Sequence, residues 1–262
     1  MKMGIFDSGL GGLVIAKAFM DKLPQYDYVY YGDSAHLPYG EKTSEQILTY
    51  TLDSVRFLIQ QQCRLIVLAC NTASCVALRY IQQQFIPSYS PNTKVLGVII
   101  PTVEQALLYS HTTVGVVATP ATINSDIYGI ELKKINPKIN VVSVATPALV
   151  PAIEQNDFEA AEKYIFGYAD SLRNIPSLIL GCTHYPLVKE LFQKALPQTH
   201  IISQDDFMGG KLADYLQRHP EIECDLTKTS TREFFVSQLN PNAKDVAKLI
   251  FPNVTLKLQP SS

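Results

Sequence analysis

The sequence predicts an α/β fold of two similar domains, each with a mainly parallel sheet flanked by helices. Short apolar runs alternate with longer stretches of helical periodicity, as in consecutive strand–helix–strand units. The same series of runs occurs once in each half of the chain. With 262 residues, the chain is long enough for about two compact domains. We therefore expect two α/β domains that face each other.

In the first half, three short apolar runs closed by polar or glycine residues predict strands at 3–6, 28–31 and 65–69. Helical periodicity from position 13 predicts a helix after the first strand. Thr43 and Gln46 have the spacing of a capping box at the start of the next helix. The third strand ends at Cys70.

The second half repeats this pattern, with strands predicted at 114–118, 140–145 and 177–181. Asp7 and Cys70 are 63 positions apart, and so are Thr119 and Cys182. A single offset of 112 lays each of these residues of the first half on its counterpart. Two unrelated domains of equal length can share such spacing by coincidence, but we favour an internal repeat.

The pattern loosens after position 198, where we expect strands at 199–203 and 233–237 and helices at 211–218 and 243–250. We interpret this segment as crossing back to complete the first domain. The predicted division is therefore 1–96 plus 208–262 for a discontinuous first domain and 97–207 for the second.

Composition and charge exclude several classes of protein. Hydrophobic residues make up 47% of the chain and charged residues 18%, which excludes intrinsic disorder. The chain has 22 basic and 24 acidic residues and so lacks the basic excess that is typical of proteins that bind nucleic acids directly. No apolar run is long enough to span a membrane, and no secretion signal precedes the first strand. We expect a soluble cytoplasmic protein whose five cysteines stay reduced.

Polar clusters follow four of the predicted strands, and ligands of open α/β sheets bind beyond the carboxyl ends of strands. These clusters are Asp7-Ser8, Cys70-Asn71-Thr72, Thr119 with Thr122, and Cys182-Thr183-His184. A further turn, Pro38-Tyr39-Gly40, is a candidate to contact a ligand from the side or is simply a turn.

Cys70 and Cys182 are the strongest catalytic candidates because they occupy the same position in the repeat. Each is predicted to precede a helix, where the dipole and free N–H groups favour the thiolate. A disulfide between them is not expected in a reducing compartment. The sequence has neither a Cys-x-x-Cys nor a His-x-x-x-His motif, so we expect no zinc site. The other three cysteines, Cys63, Cys75 and Cys224, are interpreted as structural.

Three further residues are candidates to assist the thiols. His184 lies two positions after Cys182 and is suited to relay its proton, or only caps the following helix. Asp7, at the matching strand end in the other half, is suited to serve Cys70 in the same way, or only forms an N-cap or an Asx-turn to the glycines that follow. Glu154 is a weaker candidate, equally explained as a solvated carboxylate at a helix start.

The loop at 9–12 lacks the spacing of a dinucleotide site, and its N–H groups are expected to approach a small carboxylate.

Two opposed thiols are suited to inverting a carbon centre, because one proton must leave one face while another arrives on the opposite face. One sulfur must begin as a thiolate and the other as a thiol. Neither a lysine in a pyridoxal-type context nor a metal cluster is apparent, so we expect chemistry without a cofactor.

Four blocks of residues, in this order, resemble the signature of glutamate racemases. They are Gly4-Ile5-Phe6-Asp7-Ser8-Gly9-Leu10-Gly11-Gly12, Tyr31-Gly32-Asp33-Ser34-Ala35-His36-Leu37-Pro38-Tyr39-Gly40, Ala69-Cys70-Asn71-Thr72-Ala73-Ser74 and Gly181-Cys182-Thr183-His184-Tyr185-Pro186-Leu187. The resemblance implies cofactor-independent interconversion of L- and D-glutamate, which supplies D-glutamate for peptidoglycan. It implies a site in the cleft between the domains, with Cys70 and Cys182 as the two acid/base catalysts.

The resemblance also implies that Asp7 and His184 assist the cysteines. The residues it assigns to substrate contact are Asp7, Ser8, Tyr39, Gly40, Asn71, Thr72, Thr183 and His184, with Glu154 as a carboxylate near the site. The chain departs from the family at Ser34 and His36, where Thr and Arg are more usual, and at 235–238. It also departs at Gln204, where a small residue or glycine usually follows the serine.

Two alternatives stay open. One is a related racemase that acts on aspartate or another small acid, since paired cysteines recur across the superfamily. The other is a binding module without activity, because some glutamate racemases bind DNA gyrase. Intact thiols in both halves favour an enzyme. The sequence leaves the oligomeric state open, with a homodimer as one expectation.

Overall fold

The computed structural model describes residues 1–239 and 243–260, which form two parallel sheets with helices on both faces of each. The strands are β1 (Lys2–Asp7), β2 (Tyr28–Gly32), β3 (Cys63–Leu68), β4 (Lys94–Gly97), β5 (Thr113–Ala118), β6 (Asn140–Ala145), β7 (Ser177–Gly181), β8 (His200–Ile202), β9 (Arg232–Val236) and β10 (Leu256–Leu258).

The helices are α1 (Leu13–Lys22), α2 (Ser44–Gln60), α3 (Asn71–Tyr80), α4 (Ile86–Tyr89), α5 (Ile99–Leu107), α6 (Pro120–Asn124), α7 (Ile127–Ile135), α8 (Leu149–Glu154), α9 (Phe158–Ala169), α10 (Lys189–Ala195), α11 (Gln204–Arg218), α12 (Pro220–Glu223) and α13 (Ala243–Ile250). A π-helical segment, Ile81–Phe85, joins α3 to α4. Short 3₁₀ helices lie at Ser34–His36, Tyr39–Glu41, Asp170–Leu172 and Tyr185–Val188.

The internal repeat predicted from the sequence is present as strand order. The first sheet has the order β10-β9-β2-β1-β3-β4 and the second the order β6-β5-β7-β8. The series β2-β1-β3-β4 therefore matches β6-β5-β7-β8 strand for strand, and every pair is parallel. In parallel sheets the carboxyl ends of all strands lie at one edge. The predicted fold class is confirmed.

The C-terminal segment adds β9 and β10 to the free edge of β2, so the first sheet is completed from the end of the chain. The sequence did not predict β4 or β10, which have four and three residues. It predicted the last long helix from position 211, whereas α11 begins at Gln204. The domain boundaries 1–96 plus 208–262 and 97–207 stay a prediction, and positions 240–242, 261 and 262 lie outside the described residues.

Apolar residues of the central strands are buried on both faces because helices cover each side of a parallel sheet. In the first sheet, Ile5 and Val67 contribute to the core on one face, and Phe6 and Leu68 to the core on the other. The second sheet likewise has a core on each face. The capping box of α2 forms as predicted, since Thr43 and Gln46 exchange both side-chain to backbone bonds.

Among the described residues, every helix is too short or too polar to cross a lipid bilayer.

Candidate active site

The ends of five strands, β1, β3, β5, β6 and β7, converge on one cavity. Its lining residues are Ser8, Leu37, Pro38, Tyr39, Gly40, Glu41, Cys70, Asn71, Thr72, Thr119, Pro120, Thr146, Pro147, Val150, Cys182, Thr183 and His184. Both candidate cysteines are in this set, one from each half of the chain. Eleven of the fourteen residues singled out in the sequence line the cavity directly.

The other three predicted residues, Asp7, Thr122 and Glu154, lie behind the cavity wall and bond to residues that line it. Sequence reasoning missed six lining residues: Leu37, Glu41, Pro120, Thr146, Pro147 and Val150. Three of these flank residues already singled out. Thr146, Pro147 and Val150 follow β6, whose end carried no polar cluster conspicuous enough to mark it.

Cys70 lies between β3 and α3, where it is the N-cap of the helix. The backbone N–H of Ala73 donates to its Sγ at 3.4 Å, and Ser8 Oγ lies 3.5 Å from the same sulfur. Burial, and after it the negative charge of Asp7, raise the pKa of the Cys70 thiol to about 12 against the opposing effect of those two hydrogen bonds. The N–H of the helix N-terminus favours the thiolate, as expected, but burial opposes it more strongly, so the net shift of the Cys70 pKa is upward.

Cys182 follows β7 but does not begin an α-helix, which corrects the second half of that expectation. A turn leads into the 3₁₀ helix Tyr185–Val188, and α10 begins only at Lys189. Instead of a helix N-terminus, the thiol has His184, whose Nδ1 lies 3.7 Å from Sγ. The neighbour of Cys182 is thus a titratable ring rather than a row of backbone N–H groups.

His184 is held between the sulfur and a carboxylate. Its Nε2 lies 2.5 Å from Glu154 Oε1, at the end of α8. Burial by itself lowers the pKa of His184, but bonds to Cys182 and Glu154 and their negative charge raise that pKa well above its ordinary value. Glu154 is desolvated as well, yet its bond to His184 lowers its pKa. The pair is therefore an imidazolium and a carboxylate, with the positive charge directed at Cys182.

Asp7 joins the two halves. Its Oδ1 accepts from the hydroxyl of Thr183 at 3.0 Å, and its Oδ2 accepts from the backbone N–H of Gly9 at 3.0 Å. The 9–12 loop was expected to offer N–H groups to a small ligand carboxylate, but the carboxylate that it binds is that of Asp7. A Cβ at Gly11 would lie 2.6 Å from His184 Nδ1, so a glycine is needed there for the ring to approach. The loop does not line the cavity.

Three threonine hydroxyls form a triangle across the two halves. Thr72 Oγ1 lies 2.8 Å from Thr119 Oγ1 and 3.1 Å from Thr122 Oγ1, and the last two are also 3.1 Å apart. Thr119 caps α6 in addition, as its Oγ1 accepts from the Thr122 N–H. Gly40 packs on Thr119, since a Cβ at Gly40 would lie 2.6 Å from the threonine Cβ.

Tyr39 closes another side of the cavity. Its hydroxyl donates to Asp33 Oδ2 at 2.7 Å, and His36 Nδ1 lies 2.8 Å from the same oxygen. No group of three or more His, Cys, Asp or Glu side chains is positioned to hold a metal ion in the part of the chain that the structure describes.

Comparison with known proteins identifies the family. A sequence profile of Asp/Glu/hydantoin racemases matches residues 14–205. Glutamate racemase from Ruegeria pomeroyi is 41% identical over 239 residues, which cover 85% of this chain and 87% of the relative.

Two solved structures extend the similarity to the fold. The glutamate racemase of Francisella tularensis, in complex with D-glutamate, is 34% identical, with a TM-score of 0.87 over 100% of this chain and 97% of its own. That of Aquifex pyrophilus is also 34% identical, with a TM-score of 0.80 over 98% of each chain. The chain therefore belongs to the Asp/Glu/hydantoin racemase family, resembles its glutamate racemases over most of its length, and is an amino-acid racemase.

Proposed function

We propose that this enzyme interconverts L- and D-glutamate by two-base proton transfer at the α-carbon, with Cys70 and Cys182 as the bases. The observation that carries the proposal is the position of the two thiols. They follow equivalent strands of a duplicated sheet and line one cavity from opposite halves. Glutamate as the substrate is supported by the relatives named above.

The proton balance needs one thiolate and one thiol. The thiolate removes the α-hydrogen from one face of the substrate, and the thiol donates its proton to the other face. The enantiomer leaves, and the two sulfurs have exchanged protonation states. In the free enzyme we assign the thiolate to Cys182, beside the imidazolium of His184, and the thiol to Cys70. His184 and Asp7 assist as neighbours of the two sulfurs.

Substrate carboxylates are suited to the neutral donors around the cavity. The residues to which we assign substrate contact are Ser8, Pro38, Tyr39, Gly40, Asn71, Thr72, Thr119, Thr183 and His184, supported by Asp7, Thr122 and Glu154 from behind. Hydroxyl and amide N–H groups bind a carboxylate without the strong desolvation cost of a buried cation.

The proposal extends to the cellular compartment of the enzyme, the use of its product D-glutamate and its oligomeric state. The mechanism requires two reduced thiols, and the cytoplasm keeps thiols reduced, so we assign the enzyme to that compartment. We assign D-glutamate to peptidoglycan synthesis on the basis of the family resemblance. A homodimer stays a prediction, which light scattering tests against the 29.1 kDa mass of one chain.

Loss of the α-proton signal in deuterated water tests the activity by proton NMR. We expect enzyme without added cofactor to exchange the α-hydrogen of both glutamate enantiomers. Aspartate is shorter by one methylene, which costs about 10–200-fold in specificity in a fitted pocket, so its exchange should be slower by that order. No exchange with either amino diacid would contradict the proposal. Faster exchange with aspartate would favour an aspartate racemase instead.

A further inference from the structure

Gln204 is a buried polar residue whose side chain the proposed mechanism does not use. It is the first residue of α11, is 0% exposed, and does not line the cavity. It is also a position where the chain departs from the family pattern that it resembles. Its amide forms three hydrogen bonds, and two of them are to Asn71, the residue next to Cys70.

The two amides form a reciprocal pair. Asn71 Nδ2 donates to Gln204 Oε1 at 3.0 Å, and Gln204 Nε2 donates to Asn71 Oδ1 at 3.0 Å. The hydroxyl of Tyr128, on α7, donates to the same Asn71 oxygen at 2.6 Å. Since an amide oxygen has two lone pairs, Asn71 Oδ1 is fully used. Of the two Asn71 Nδ2 protons, one is bonded to Gln204.

The orientation of both amides is set by Thr102, on α5. Its hydroxyl donates its single proton to the Val98 carbonyl at 2.6 Å, so toward Gln204 the oxygen can only accept. Gln204 Nε2 lies 3.0 Å from Thr102 Oγ1 and is therefore the donor in that bond. This fixes Gln204 Oε1 toward Asn71 Nδ2, which in turn fixes the Asn71 amide.

We infer that Gln204 is a positioning residue that holds the Asn71 amide with one N–H free to donate to the substrate. The inference rests on the proposed function, in which Asn71 contacts a carboxylate of glutamate. Without Gln204 and Thr102, the remaining partner named above is the Tyr128 hydroxyl, which can donate or accept and therefore does not fix the orientation of the Asn71 amide. The flipped orientation presents an oxygen to the substrate, and an oxygen repels a carboxylate.

Substitution of Gln204 by methionine tests the inference, because it keeps the length of the side chain and removes its hydrogen bonds. A bond from an N–H to a charged acceptor is worth about 10–100-fold in affinity, so we expect KM for glutamate to rise by that factor in Gln204→Met. The kcat value should stay within a factor of about two, because a contact made equally in ground and transition states changes KM alone.

Thr102 offers a matched pair of variants that leave Gln204 in place. Thr102→Ser keeps the hydroxyl and should keep the KM of the native enzyme. Thr102→Val has nearly the same shape but no acceptor, and we expect KM to rise about 2–10-fold, the worth of a neutral hydrogen bond. If Thr102 acted by packing alone, Thr102→Val should have the KM closer to that of the native enzyme, because valine fills the site better than serine does.

A readout without substrate keeps this inference distinct from the proposed function. Hydrogen exchange of the Asn71 side-chain amide, followed by NMR in the free enzyme, should be at least about 10-fold faster in Gln204→Met. Unchanged amide exchange together with unchanged KM would overturn the inference. So would equal loss in Thr102→Ser and Thr102→Val. If the native enzyme does not exchange glutamate at all, the proposed function fails, and the amide exchange still decides whether Gln204 positions Asn71.

Discussion

The two cysteines occupy equivalent strand ends of a duplicated sheet, yet their surroundings are chemically opposite. Cys70 caps α3 and is close to the carboxylate of Asp7, with burial and that negative charge raising its pKa to about 12. Cys182 precedes a turn and faces the imidazolium of His184. Both cysteines are buried, with 4% and 6% of their residue surface exposed. Burial is thus shared, and the sign of the neighbouring charge makes the difference.

This difference teaches that a symmetric scaffold can carry an asymmetric resting state. The proposed mechanism needs one thiolate and one thiol at the start of each turnover, and two identical environments would not distinguish the two cysteines. We propose that the opposite charges beside the two thiols make that assignment before the substrate arrives.

The largest expected effect comes from removing either sulfur. We expect Cys70→Ala and Cys182→Ala each to lower racemisation by about 10³-fold, within the range of about 10²–10⁴ for a lost acid or base. Circular dichroism of glutamate solutions measures it. Full turnover in either variant would contradict the role of that cysteine.

The free energy of unfolding should distinguish Cys70→Ala from Cys182→Ala. Cys70→Ala loses the acceptor for the Ala73 N–H, and a lost N-cap costs about 1 kcal/mol of free energy of unfolding. Cys70→Ser restores an acceptor and should recover this stability without recovering activity. Cys182 caps no helix, so Cys182→Ala carries no such loss, and urea unfolding compares the three.

An intermediate effect is expected from Glu154→Gln, which removes the carboxylate beside His184. In the native enzyme the pKa of His184 is raised well above its ordinary value, so the ring stays charged through neutral pH. The variant lacks the bond and the charge of Glu154 that raise this pKa, so its ring should lose the proton at a lower pH than in the native enzyme. We expect kcat/KM to fall about 10–100-fold at pH 8, the worth of a charge-assisted bond, and much less at pH 6.

A matched control for that experiment is Glu162→Gln, which breaks the exposed ion pair with Lys194 and should leave the pH profile unchanged.

The stability of the enzyme should depend on pH in the same sense as the charge of His184. A raised pKa in the folded state stabilises the native enzyme fully below about pH 6.5, and this contribution is lost as pH rises through the folded pKa. Glu154→Gln should therefore lose most stability near and below neutral pH. A pH profile equal to that of the native enzyme would contradict the imidazolium assignment.

The smallest expected effect is in thiol reactivity. Because the thiolate is the nucleophile, iodoacetamide at pH 7 should label Cys182 at least about 10-fold faster than Cys70. Peptide mass spectrometry separates the sites, with exposed Cys224 as an internal reference and bound glutamate as a protectant. Equal rates of labelling at Cys70 and Cys182 would contradict the assignment of the thiolate to Cys182.

The fold was largely predictable from local pattern. The strands at 140–145 and 177–181 match the structure residue for residue, because each contains a short apolar stretch, Val141-Val142 and Leu178-Ile179-Leu180, that marks it in the sequence. The short edge strands β4 and β10 were missed, since four or three residues carry too little periodicity. The early start of α11 was missed because polar residues fill its first turn.

The candidate site was predictable where its residues follow strands, and less so elsewhere. Cys70 and Cys182 were marked by their equivalent positions in the repeat, and both line the cavity. Gln204 was noticed only as a departure from the family pattern. Its partners Asn71 and Thr102 are 133 and 102 positions away in sequence, and no local pattern reports contacts at such separation.

The order of residues alone determined the two sheets, their duplication and the residue types at each strand end, because strand and helix periods are local properties of the chain. Only the tertiary structure decided the ionisation of the groups at those strand ends. Charge depends on burial and on neighbours brought from distant segments, such as Asp7 beside Cys70 and Glu154 beside His184.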